Sequence, residues 1–362
     1  MKIHWIMGPY DARWNGVGSF SEQLCESLNS AVYVVERHYF RGKPRSLARY
    51  FDQFFAIPFR VFFSLSSDHA VILYQEDICF MLWLFVLRTK KLVVVLHHVP
   101  SLKNSVNFLE KLKLVFVRIN LIALKKAKIV VCPSNRTSSE AKQFVSPEKL
   151  TTVPNAFNIS SGNTGTVASD HARADLGKIV GRDLADYVVI LNVGSEETRK
   201  NVLTLLRGLS GAAVSKPILF LKIGKPVDGT NRREIVKFLS SAPYESCIID
   251  YVEKETLSLA YRSADIFAAP SLYEGFGRTP IEAQAFGVPV CASKLEIFDE
   301  TMGESYFSVV QPENPHAWTY ALAQLLNDED LKRKLINLGY ENVKRYDASR
   351  VVDSFEKILS KI

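Results

Sequence analysis

Ten short, nearly unbroken apolar runs of strand length, separated by stretches of helical periodicity, constrain this chain more than any other feature. In the first half they are Ile3–Met7, Val32–Val35, Ala70–Tyr74, Leu92–Leu96 and Ile129–Cys132. In the second they are Tyr187–Val193, Ile218–Ile223, Cys247–Tyr251, Ile266–Ala269 and Val288–Cys291. A strand with one wet face alternates apolar and polar residues; a run that is apolar throughout is covered on both faces. Parallel strands need long crossovers, and helical stretches between the runs supply them. The pattern predicts an α/β chain, and 362 residues suffice for two cores. Both halves read as Rossmann-like.

The junction is expected near Val153–Asn155, giving a first domain over 1–153 and a second over 154–345. The stretch from Asn158 to Asp170 is rich in Ser, Gly, Asn and Thr and reads as loop. Two amphipathic helices are expected over 314–327 and 329–345. A closing helix, with Val351, Val352, Phe355, Ile358 and Leu359 at helical spacing, lies in a segment 346–362 expected to pack back on the first domain.

The longest apolar run, Ile78–Leu87, is far short of the roughly 20 residues that span a bilayer and reads as a buried helix. The opening MKIHWIMGPY breaks at Gly8-Pro9 and reads as a first strand, not a leader, so a cytoplasmic location is expected. Cys25, Cys79, Cys132, Cys247 and Cys291 are scattered, with no Cys-x-x-Cys pair, and read as reduced core thiols. Charge is uneven: residues 1–150 carry 21 Lys and Arg against 11 Asp and Glu, whereas residues 151–362 carry 24 against 27. A basic half beside a mildly acidic one points to an anionic partner for the first half.

The strongest chemical signal lies between Ser271 and Val290. A strand ends at Pro270, a Gly-rich turn follows, and a helix opens near Thr279 with Pro280 in its first turn. The N–H groups of Gly275, Phe276 and Gly277, with the helix N-terminus, suit a phosphate or sugar hydroxyl. Glu274 and Glu282 bracket that turn, and a carboxylate can hold a vicinal diol. Either Glu taken alone is more often a helix-terminal charge than a ligand.

This stretch resembles the Glu-x7-Glu signature of glycosyltransferase family 4, here Glu274-Gly275-Phe276-Gly277, then Glu282-Ala283, then Gly287-Val288-Pro289-Val290. The likeness extends upstream through Ala264–Ser271 and to Thr152–Ala156, similar to the family's Ile-Pro-Asn-Gly stretch. Arg278-Thr279 stands where Leu-Pro is frequent, and Ala156 where Gly is. The resemblance implies a GT-B enzyme: two Rossmann-like domains facing a central cleft, a nucleotide diphosphate sugar as donor, retention at the anomeric carbon, and no metal or other cofactor. It implies that Glu282 binds the donor ribose and that Glu274 lies beside the transferred sugar.

Three further groups gain roles from that resemblance. Arg199 and Lys200 follow a strand and open a helix; an isolated surface pair is usually just solvated, but the family places an Arg/Lys pair on the donor pyrophosphate. In the loop after the first strand, Gly16-x-Gly18 is too weak for a dinucleotide fingerprint, and the family's Gly-rich loop here faces the donor phosphates. His97 and His98 end a strand; His97 matches a family position that contacts the transferred sugar, and the role of His98 is open.

Aromatic and basic residues interleave in His38–Phe63 and Leu102–Lys128. The mixture fits a helix lying on an anionic membrane, nucleic-acid binding, or core helices with solvated Lys faces. The reading adopted is a retaining hexosyltransferase that uses a UDP- or GDP-sugar and a glycan or lipid-linked acceptor in cell-surface polysaccharide assembly. It is cytoplasmic or peripheral at the inner face of the membrane, without a nucleic-acid partner. The rivals are a GT-B nucleotide-sugar epimerase and a basic, non-catalytic Rossmann-like binding module; Glu274, Glu282, Arg199 and Lys200 together argue against a decayed site.

Overall fold

The computed structural model describes residues 1–10, 16–42, 46–99, 108–157, 170–212, 215–227 and 229–362, with backbone only at 16, 17, 19, 108–114 and 170. Within the segments singled out in the sequence, 43–45, 102–107 and 158–169 lie outside this description, as do the side chains of Lys111 and Lys113. The chain forms two units, one from Met1–Phe157 with Tyr346–Ile362 and one from Asn158–Arg345.

The first unit is built on six parallel strands: β1 (Lys2–Pro9), β2 (Val34–Phe40), β3 (Ala70–Leu73), β4 (Leu92–Val95), β5 (Ile129–Cys132) and β6 (Leu150–Thr152), in the order 2-1-3-4-5-6. The continuous apolar runs fill both faces. Ile3, Trp5 and Met7 point to one core, and Ile6, Val71 and Leu73 to the other. The helix Ala348–Leu359 closes the first of these faces: its Val351, Phe355 and Leu359 are buried, and the Phe355 ring stacks on Trp5 at 5.6 Å between centroids. Burying one such ring stabilises the fold by about 1.5–3 kcal/mol. The chain's last helix thus belongs to the sheet that contains its first strand.

The second unit has β7 (Val188–Val193), β8 (Ile218–Ile223), β9 (Glu245–Ile249), β10 (Ile266–Ala269), β11 (Val290–Ser293) and β12 (Phe307–Val309), all parallel, in the order 12-11-10-7-8-9. The order reverses between β7 and β10. Connections leave the carboxyl ends of these neighbours toward opposite sides, opening a crevice where α/β sheets take ligands. Helices Val202–Leu209 and Pro315–Asn327 cover one face, packing Leu205, Leu206, Trp318 and Leu322 on Ile190, Phe220 and Ala268. Asn314 and Asp328 cap the helices Pro315–Asn327 and Glu329–Val343 through their side chains.

Several strands sit a little apart from the apolar runs. β2 begins at Val34, not Val32, and β9 at Glu245, not Cys247. Both are edge strands, where one side of the ladder is open and hydrophobicity marks the boundary poorly. The run Ile78–Leu87 is a 3-10 segment, Glu76–Met81, leading into one helical turn, Leu82–Phe85; Ile78, Cys79, Met81, Leu82 and Phe85 are buried, while Trp83 and Leu87 face outward. All five cysteines are free thiols, and Cys247 alone is not fully buried.

Candidate active site

The crevice between β7 and β10 gathers the second unit's polar groups. Its small pocket is lined by Asn192, Val193, Gly194, Ser195, Lys200, Phe267, Ala269, Ser271, Glu274, Thr279 and Pro280. One wall is the loop after β7. It turns through a 3-10 segment, Thr198–Lys200, and Asn201 then takes the left-handed conformation (φ 52°) before the helix Val202–Leu209 begins. The Arg-Lys pair therefore precedes the helix and does not open it. Asn201 tolerates this backbone because its amide donates to the Pro312 carbonyl at 2.8 Å and its oxygen accepts from Thr204 at 2.6 Å.

The other wall is the turn after β10, tied to the first by Leu272 N–H donating to the Arg199 carbonyl at 2.7 Å. The helix Arg278–Ala285 follows Gly277, whose φ is 83°. A Cβ there would lie 2.4 Å from the Phe298 ring, so both the backbone and the space demand glycine.

Glu274 is where the walls meet. Its carboxylate lies 2.5 Å from Lys200 Nζ and 3.3 Å from Arg199 Nη1, and accepts from Ser271 Oγ at 2.7 Å. Its side chain is 13 % exposed. Burial pushes its pKa up, but Lys200 and Arg199 outweigh that, and the net shift is downward. Arg199 also donates to the Tyr273 carbonyl at 3.1 Å and to Glu197 at 2.5 Å, which fixes its guanidinium plane. The result is an anionic side chain holding two cations at the carboxyl edge of the sheet.

Beneath the loop lies Lys222, fully buried on β8, a group the sequence reading passed over inside the run Ile218–Ile223. Its Nζ donates to the Gly194 carbonyl at 2.5 Å and to the Ile223 carbonyl at 3.2 Å. Burial pushes its pKa down to about 8. Close by, buried Glu196 pairs with Arg232 Nε at 2.7 Å, and Arg232 reaches Asp250 at 2.7 Å. Lys222 is the interior pin of the loop that carries Arg199 and Lys200.

Glu282 sits in the second turn of the helix Arg278–Ala285, half-buried. It accepts from Arg278 at 3.1 Å and from the buried Tyr261 hydroxyl at 3.0 Å. It does not line the pocket around Lys200 and Glu274. Gly275 and Phe276 lie in the turn between the two carboxylates, with Phe276 buried.

The remaining residues named from the sequence belong to the first unit. Gly16 and Gly18 lie in the helix Gly16–Ser27 and not in a loop, because Phe20 and Leu24, four apart, bury one face and the preceding turn continues the helix. His97, just past β4, is buried and meets Phe20 edge-on at 5.6 Å between centroids. His98 Nδ1 is 2.9 Å from Glu76 Oε1, and the other Glu76 oxygen accepts from the His97 N–H at 3.3 Å. Burial pushes the Glu76 pKa up, but His98 and His97 bring it below its ordinary value. Glu76 is a buried acid at the carboxyl edge that no motif announced; a Glu two residues after a β-run was its only signal.

Two parallel α/β units, the second with its polar groups collected at the strand-order reversal, define a GT-B fold. Residues 182–342 match the family model of "Glycosyl transferases group 1". It is 31 % identical over 140 residues to a D-inositol 3-phosphate glycosyltransferase of Corynebacterium urealyticum, covering 38 % of this chain and 30 % of that protein. It is 27 % identical over 209 residues to a phosphatidyl-myo-inositol mannosyltransferase of Mycobacterium leprae, covering 57 % and 52 %. The chain spans about half the length of these curated relatives or less. Among solved structures, HepE of Anabaena in complex with UDP and glucose superimposes with a TM-score of 0.81 at 15 % identity, covering 100 % of both chains.

Proposed function

We propose that this chain transfers a hexosyl-type sugar, with retention, from a UDP- or GDP-sugar to a hydroxyl of a glycan or lipid-linked acceptor in cell-surface polysaccharide assembly. The observation that carries the reading is Glu274 bound to both Arg199 and Lys200 at the reversal point of a group 1 glycosyl transferase unit. In this reading the two cations meet the donor pyrophosphate and stabilise the leaving diphosphate as its charge develops. Glu282 takes the ribose diol, with Arg278 and Tyr261 fixing its carboxylate. Glu274 orients the cations and lies beside the transferred sugar, His97 contacts that sugar, and the Gly275–Gly277 turn and the Gly16–Gly18 helix start face the donor. The acceptor hydroxyl attacks from the side the diphosphate leaves, and the diphosphate takes its proton. The protein contributes position and electrostatics, with no metal in the transfer. HepE, which holds UDP, supports a UDP-sugar; the phosphatidyl-myo-inositol mannosyltransferase relative supports a lipid-linked acceptor.

We also assign the first unit to an anionic membrane surface. Along 47–64, Phe51, Phe55, Phe59 and Phe63 recur every four residues and are 48–72 % exposed, with the Phe51–Phe55 and Phe59–Phe63 rings stacked in pairs. Phe116, Ile119 and Ile122 are exposed on the helix Phe108–Leu121 and just after it. An apolar ladder beside Arg41 and Arg60 supports insertion of the rings among lipid headgroups. Among the described residues no helix is long and apolar enough to cross a membrane.

Calorimetry with UDP and GDP, and their sugars, tests the donor assignment: one nucleotide should bind wild type and bind Arg199→Ala and Lys200→Ala more weakly. Equal affinity in all three proteins would place the diphosphate elsewhere. Sedimentation with anionic and neutral liposomes tests docking. Binding should favour anionic lipid, fall with salt without vanishing, and drop on changing Phe51, Phe55, Phe59 and Phe63 to Ser. Wild type left in the supernatant at low salt would refute it.

A further inference from the structure

At the amino end of the first sheet, away from the carboxyl edge, three imidazoles and a carboxylate crowd one face. In the β1–β2 register His4 stands opposite Glu36 and Ile6 opposite His38, so His4, Glu36 and His38 share that face. His4 Nδ1 is 3.1 Å from His38 Nε2 and 3.5 Å from Glu36 Oε2, and His38 Nε2 is 3.8 Å from Glu36 Oε1. A divalent cation held tetrahedrally with bonds of about 2.0–2.1 Å keeps its ligand atoms about 3.3–3.4 Å apart. The two Glu36 separations are to its two different oxygens, and one ligand atom from each residue lies within 4.8 Å of the others, so a rotation of the exposed carboxylate brings one oxygen to that edge length.

We propose that His4 Nδ1, His38 Nε2 and a Glu36 carboxylate oxygen form a binding site for a divalent transition cation of the Zn2+ type. The fourth position is left to water.

His4 and His38 are buried, whereas Glu36 is half-exposed, so the cation enters from the Glu36 side. Each imidazole, when neutral, has a lone pair to give a cation. Without a cation, the facing nitrogens of His4 and His38 share a proton as a hydrogen bond. With one, both face inward as lone pairs and the protons sit on the far nitrogens. His4 has a receiver for that arrangement: its Nε2 lies 3.3 Å from His69 Nδ1. His69 is itself anchored at the start of β3 through its carbonyl, which accepts from Thr89 Oγ1 at 2.7 Å. His69 is therefore a positioning residue that fixes the tautomer of a ligand. Lys2 competes for the carboxylate, with Nζ 3.0 Å from Glu36 Oε2. A cation here would tie β1 to β2, the edge strand of the sheet.

The site is independent of the transfer reaction, so its test needs no activity. The full chain, stripped with a chelator, is titrated with Zn2+ by calorimetry and with Co2+ by visible absorption. The expected result is one Zn2+ per chain, an intense visible Co2+ band of four-coordinate type, and binding lost in Glu36→Gln and His38→Ala. His69→Ala should weaken binding about 10–100-fold, and Lys2→Ala should bind at least as tightly as wild type. Glu36→Gln changes a half-exposed group and keeps the fold testable if His38→Ala does not fold. A wild type that shows no saturable Zn2+ binding overturns the proposal. So does Glu36→Gln binding Zn2+ as tightly as wild type.

Discussion

Lys200 Nζ lies 2.5 Å from Glu274 Oε1, a contact that joins the loop after β7 to the turn after β10 across 74 residues of sequence. The pair is largely buried, and removing either partner leaves the other short of a charge-assisted bond. In Lys200→Ala and Arg199→Ala, nucleoside diphosphate affinity should fall by roughly 1.5–3 kcal/mol, read by calorimetry. Because Glu274 also holds the cations, Glu274→Gln should weaken diphosphate binding by less than either Ala variant. A larger loss would make the carboxylate itself the principal donor contact.

Glu282 and Glu274 should separate kinetically. A ribose contact is shared by ground and transition states, so Glu282→Ala should raise the donor KM with little change in kcat. Glu274→Ala, which acts beside the reacting sugar and on the leaving-group cations, should lower kcat more than it raises KM. Identical patterns in the two variants would end this division of labour.

Gly277→Ala should be damaging although it adds one methyl group. The residue sits at φ 83°, and its Cβ would meet the Phe298 ring at 2.4 Å. Strain of about 1–3 kcal/mol is expected as a lower urea midpoint. Gly277→Ala paired with Phe298→Leu should recover part of the loss if the ring is the obstacle.

Lys222 gives stability a pH dependence on the alkaline side. Its pKa is about 8 when folded, against an ordinary value of 10.5, because burial penalises the charged form. Between these values the unfolded chain holds the proton that the folded chain has released, so folding stability rises with pH from about 8 toward 10.5. Urea midpoints at pH 7.5 and 9.5 measure the slope, and Lys222→Met should flatten it. The same variant frees the Gly194 carbonyl and should weaken nucleotide binding through the loop.

Central strands were legible in the sequence because burial on both faces writes itself as an unbroken apolar run: β1, β3, β4, β5, β7, β8 and β10 fall on such runs. The edge strands β6 and β12, three residues each, carry no run, since half their environment is solvent or loop. In the site, residues inside a contiguous motif could be named from sequence: Glu274, Glu282 and the Gly275–Gly277 turn. Lys222 and Glu76 could not, because each acts through a partner distant in sequence, Gly194 and His98 respectively. A Lys within a strand and a Glu after one are common, and only the register makes these two informative. Glu36-Arg37-His38 is a similar case: the alternation puts its outer members on one face, but His4 joins them only through strand pairing.

The helix that stacks Phe355 on Trp5 gives this chain an order of assembly during translation. The second unit is drawn from one unbroken stretch, 158–345, which is synthesised before the helix Ala348–Leu359. The first unit, though begun earlier, spends that interval with part of the Trp5 side of its sheet uncovered. A chain ended at residue 345 and released from the ribosome should therefore protect the second unit from protease while the first remains a substrate for hydrophobic-binding chaperones.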